Sequence, residues 1–102
     1  MRRTKPLVKV AIVMMVDPNR RFWGYYLSRE AGVRSGVLYP LLDRMLAEGW
    51  LTDGWEDRAE AVNRPPRRYY ELTDDGRREL GATLARAETE TRFAGLNWGY
   101  AR

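Results

Sequence analysis

The residues best equipped for chemistry in this chain are arginines. Arg58, Arg64, Arg67 and Arg68 gather around the Pro65-Pro66 pair. A guanidinium presents a rigid fork of donors that matches phosphate oxygens and the acceptor edge of guanine. On an extended loop such side chains reach into a minor groove, where the potential of DNA is most negative. A second group, Arg34, Ser35, Gly36 and Tyr39 with Arg44 behind them, combines small residues, hydroxyls and cations at the start of a helical pattern. Each has a plainer reading: loop charges are often only solvated, Tyr39 beside Pro40 could pack at a helix start, and Arg44 could pair with Glu48 one turn on.

Other chemistries are excluded by what is missing. The chain has no cysteine and no histidine, which removes thiol nucleophiles, disulfides, zinc-finger ligand sets and every dyad or triad built on imidazole. We therefore expect no enzyme and no cofactor, and Asp74-Asp75 reads as a helix start rather than a metal site. Of Trp23, Trp50, Trp55 and Trp98, most should be packing residues. Trp98, on an aromatic tail, is the one candidate for contact with a small aromatic effector.

The 102 residues carry 18 basic and 14 acidic groups with 44% apolar content, as in a folded, soluble, single domain. Sixteen of the basic residues are arginine, a bias that GC-rich coding alone could produce. Position says more: residues 1–68 carry 13 basic and 8 acidic groups, whereas residues 69–102 carry 5 and 6. A polyanion should therefore meet the front two-thirds. The longest apolar run, Val10 to Val16, is too short to span a bilayer and ends in Asp17-Pro18-Asn19, so a cytoplasmic protein without a membrane partner is expected.

These groups need elements to position them. Thr4 should cap a first helix reaching Val16, with Pro6 in its first turn. Phe22, Tyr25, Tyr26 and Leu27 to Ala31 have helical spacing and stop at Gly32. Ser35 can cap a third helix whose apolar face is Val37, Leu38, Leu41, Leu42, Met45 and Leu46, with its opening loosened or kinked at Pro40. Trp50 to Glu56 and Arg67 to Leu72 read as two strands, the second with Tyr70 and Leu72 turned inward, joined by a protruding loop from Asp57 to Pro66. Thr73 should cap a last helix with Leu80, Leu84, Ala87 and Thr91 along one side. The result is a mainly α fold with a small β-hairpin: a winged helix-turn-helix of four helices and a two-stranded wing, over residues 1–92, followed by an aromatic tail over residues 93–102.

The stretches SGVLYPLLDRMLAEGWL and RPPRRYYELTDDGRREL resemble the PadR-like family across residues 33–80. The shared pattern has a tyrosine-proline pair in the recognition helix, a leucine-rich core face, an acidic-glycine stop and an arginine-tyrosine-tyrosine strand leading to threonine and glycine. The resemblance implies a repressor that binds near-palindromic operators as a homodimer through its first and last helices, some relatives answering to flat aromatic ligands. It departs from the pattern at Trp50, where an aliphatic residue is usual, and in its short C-terminal part. On this reading double-stranded DNA meets Arg34, Ser35, Gly36, Tyr39, Arg44, Arg58, Arg64, Arg67 and Arg68. Leu7, Val10, Ile12, Met14, Leu80, Leu84, Ala87 and Phe93 form the dimer interface, because the first helix is apolar on more sides than one short chain should cover. The rival reading is a winged-helix interaction or architectural module that regulates no promoter.

Overall fold

A computed structural model describes residues 1–101. The first helix, α1 (Lys5–Met14), starts where Thr4 takes an extended conformation and its hydroxyl accepts the Leu7 N–H at 3.3 Å. Pro6 falls in the first turn, where a missing N–H costs no helical bond. A short strand, β1 (Phe22–Trp23), precedes α2 (Gly24–Ala31), α3 (Ser35–Ala47), the strands β2 (Leu51–Trp55) and β3 (Arg68–Leu72), and α4 (Asp74–Ala87). Two 3-10 turns, Thr91–Phe93 and Trp98–Ala101, follow. This is the winged helix-turn-helix order.

The sheet has three antiparallel strands in the order β1-β3-β2, one more than the hairpin expected. Phe22 and Trp23 pair with Tyr70 and Tyr69. Phe22, which its spacing assigned to the second helix, is thus strand, and its ring is buried against the core. Register with β3 and burial outweigh its helical spacing, and the helix begins only at Gly24. Along β3, Tyr70 and Leu72 face inward as their alternation predicts.

The wing is fastened to the helices at Thr73. Its hydroxyl accepts the Gly76 N–H at 2.9 Å, capping α4, and donates to the Gly49 carbonyl at 2.6 Å. Gly49, at φ 76°, is the residue that ends α3 in the left-handed region. Gly76 lies directly on the Trp50 backbone: a Cβ there would stand 2.8 Å from the Trp50 carbonyl carbon.

The main core gathers Leu7, Val10 and Met14 of α1 with Leu27, Leu38, Leu42, Met45, Tyr70 and Leu80. A second cluster joins Val8 and Ile12 on the other side of α1 to Ala87 and Phe93, with Leu84, Leu96, Trp98 and Tyr100 packed against it. The tail therefore folds back over α1, its own shape fixed by a bond from Trp98 Nε1 to the Phe93 carbonyl at 2.9 Å, with the Arg3–Glu90 ion pair at 2.6 Å tying the segment before it to the start of the chain. This corrects the premise behind the expected interface. Leu7, Val10, Ile12, Met14, Leu80, Ala87 and Phe93 are all buried inside one chain and Leu84 is half-buried, so the apolarity of α1 needs no second copy to explain it.

Candidate nucleic-acid interface

Three residues, Gly32, Val33 and Arg34, separate α2 from α3. Gly32 sits at φ 65°, a conformation that costs glycine little. Ser28 then fixes the turn from both sides: its carbonyl accepts the Val33 N–H at 3.1 Å and its hydroxyl donates to the Val33 carbonyl at 2.6 Å. With Val33 buried, the start of α3 is set rigidly relative to α2.

Arg34, not Ser35, occupies the cap position of α3. The turn leaves Arg34 extended and its carbonyl accepts the Leu38 N–H at 2.8 Å, so Ser35 becomes the first helical residue. No side chain caps the helix among the described residues, so its first N–H groups lack a side-chain acceptor. The outward face carries Arg34, Ser35, Gly36, Tyr39 and Arg44, as the sequence predicts. Val37 joins them: assigned to the apolar face by its spacing, it is 41% exposed, close to Tyr39 at 44%. In the first turn Leu38 is the buried residue, and Val37 borders an open cleft with Thr4, Pro6 and Leu41. The helix runs unbroken through Pro40, which is exposed. Arg44 makes no ion pair with Glu48 among the described residues.

The wing loop is organised by a carboxylate that its sequence did not single out. Glu56 is 8% exposed. It accepts two bonds from Arg64, at 2.6 and 3.1 Å, and one from the Arg67 backbone N–H at 2.8 Å. The Arg64 hydrogen bonds, with the Arg67 N–H and the charges of both arginines, hold its pKa at about 2 against partial burial. Across the hairpin, Asp53 takes Arg68 Nε at 2.8 Å and Nη2 at 2.5 Å. Register explains this pair: Asp53 lies opposite Tyr70 and Arg68 opposite Trp55, making the two diagonal neighbours on one face.

The four wing arginines therefore divide. Arg64 and Arg68 are already paired, whereas Arg58 and Arg67 carry no ion pair among the described residues. Arg20 and Arg21 were missed by sequence reasoning. Arg20 lies 4.5 Å from the Tyr26 ring centre, and Arg21 4.1 Å from that of Tyr69, within 3.6 Å of Glu60 in the wing loop. The doublet before Phe22-Trp23 is the only signal in the sequence, and a two-residue strand is too short to show as a pattern. Trp98, the expected effector contact, spends its indole N–H on Phe93 and packs on α1.

A family model described as the transcriptional regulator PadR-like family matches residues 19–82. No curated protein matches the chain in sequence. Among solved structures, a PadR-like transcriptional regulator from Bacillus cereus is 26% identical with a TM-score of 0.61, over 78% of this chain and 80% of that one. A MarR family transcriptional regulator from Silicibacter pomeroyi is 25% identical with a TM-score of 0.61, over 88% of this chain and 59% of that one. The chain thus spans less than two-thirds of that relative. A PadR family transcription regulator from Clostridium difficile, 22% identical with a TM-score of 0.57 over 85% of this chain and 88% of that one, shares the fold.

Proposed function

We propose that this chain, which belongs to the transcriptional regulator PadR-like family, is a repressor that binds an inverted-repeat operator as a homodimer. The observation that carries the reading is the outward face of α3, with Ser35, Gly36 and Tyr39 at its open end beside a wing whose Arg58 and Arg67 carry no ion pair among the described residues. Small residues let the helix start approach base edges, and cations flanking it meet the phosphates on either side of the groove.

A single chain offers one such helix, and the few base pairs it reads make a poor address in a genome full of competing sites. Two chains related by a dyad double that address. Their recognition helices would then lie about 34 to 36 Å apart, one turn along the duplex. Pairing runs through the α1–α4 side, where Leu84 remains partly open, and a small aromatic effector at Trp98 would enter by lifting the tail from α1.

Selection of bound sequences from a random duplex pool, followed by footprinting, tests this reading. An inverted repeat with half-sites about 10 base pairs apart is expected. Bound DNA with no two-fold symmetry would favour an architectural module instead.

A further inference from the structure

A cleft of about 310 Å³ opens between the start of α2, the face of α3 and β3, lined among others by Trp23, Gly24, Tyr39, Arg67, Arg68 and Tyr70. Two of its lining residues each carry a buried polar atom with no hydrogen-bond partner among the described residues, the Tyr70 hydroxyl and Trp23 Nε1. Tyr70 as a whole is 1% exposed. Buried donors are almost always satisfied, and an exception calls for an explanation. Burial raises the Tyr70 pKa, against the opposing effect of Arg68, so the hydroxyl keeps its proton and remains a donor.

The rest of the cleft offers donors and cations, and the Asp43 and Asp53 carboxylates also lie close enough to act on Tyr70. Trp23 is the cap residue of α2, and no side chain caps that helix among the described residues, so its first N–H groups lack a side-chain acceptor. Such a helix end favours negative charge. Gly24 lets the Tyr39 phenol lie against that end: a Cβ at position 24 would stand 2.7 Å from Tyr39 Cζ. Among the described residues Arg67 has no ion pair, and Asp53 takes Nε and Nη2 of Arg68 while Nη1 makes no hydrogen bond.

We propose that this cleft seats one phosphate of the DNA backbone, held by the Tyr39 and Tyr70 hydroxyls, the Trp23 indole N–H, Arg67 and the open end of α2. The proposal rests on the reading of the chain as a DNA-binding regulator. A major groove that admits α3 places phosphates along both flanks of the helix, and the cleft borders one flank. The seat specifies position rather than sequence, because a phosphate carries no base identity.

Tyr70→Phe deletes only the hydroxyl. Since that group has no partner in the free chain, the melting temperature should hold, while affinity for a fluorescein-labelled mixed-sequence duplex should fall about tenfold with an unchanged salt slope. Arg67→Gln should lower that slope by about 0.9. In the parent chain, the Trp23 indole resonance, assigned with Trp23→Phe, should shift when the duplex is added. A parent that binds no duplex overturns the regulator reading. A parent that binds while Tyr70→Phe binds as tightly overturns the phosphate seat alone. Should Tyr70→Phe unfold, the indole resonance decides, and no shift with duplex sinks the seat. A shift with inorganic phosphate but not with duplex makes the cleft a free-anion site and overturns the DNA assignment.

Discussion

Arg64 holds the Glu56 carboxylate with both terminal nitrogens, Nη1 at 2.6 Å from Oε1 and Nη2 at 3.1 Å from Oε2. The pair closes the wing loop on itself, and the Arg67 N–H adds a third bond at 2.8 Å. A loop that composition describes only as polar and basic thereby gains a fixed base, and Arg67 leaves it at a defined point.

The pH dependence of the wing follows from this pair. The folded pKa of Glu56 is depressed from 4.5 to about 2, so its stabilisation is fully present above 4.5 and is lost as pH falls towards about 2. Amide protection factors in residues 56–67, corrected for the intrinsic exchange rate at each pH, should fall across that window, and Glu56→Gln should abolish the dependence. Equal protection at both ends would show that the carboxylate does not hold the loop.

Salt dependence should separate the wing arginines. Arg67→Ala should lower the slope of log affinity against log salt by about 1 if that side chain meets one phosphate. Deleting the neutral Glu56–Arg64 pair as a unit, with Glu56→Gln and Arg64→Ala together, should leave the slope in place. Equal drops in the two variants would mean that Arg64 leaves Glu56 for the DNA.

Tyr39→Phe should weaken duplex binding by roughly 0.5 to 1.5 kcal/mol, the net worth of one neutral hydrogen bond. Folding should be unaffected, since the ring still rests on Gly24. Titration and thermal melting of the same preparation measure both, and binding as tight as the parent's would remove the hydroxyl from the interface.

The tail is expected to contribute to stability from within one chain. Phe93 is 1% exposed in the second cluster, and Phe93→Ala should cost about 3 to 5 kcal/mol in urea unfolding. Sedimentation of the parent should give twice the 11.9 kDa chain mass if the proposed homodimer forms. An unfolding midpoint that ignores Phe93→Ala would show that the tail does not clamp α1, and a monomeric parent would end the dimer.

Gly76→Ala should destabilise the chain by about 1 to 3 kcal/mol, the usual cost of overpacking. The new methyl would press on the Trp50 backbone, which anchors Thr73 N–H at 3.0 Å. Thermal melting checks it, and an unchanged midpoint would mean that the junction of α4 and β2 yields freely.

What the sequence determined by itself was the chemistry that closes within a few residues. Thr4 caps Leu7, Thr73 caps Gly76, and Gly32 ends α2 in the left-handed region, each decided by local donors, acceptors and backbone freedom. The exposed face of α3 was equally legible, because helical geometry alone gathers Ser35, Gly36, Tyr39 and Arg44. What only the tertiary structure decided were partners distant along the chain. Phe22 became strand because Tyr70 lies beside it, Arg68 was neutralised by Asp53 through strand register, and α1 was covered by Phe93 and Trp98 from the far end of the chain. Periodicity reports which side of a residue is apolar, but it does not report which surface arrives to cover it. That depends on how the whole chain closes.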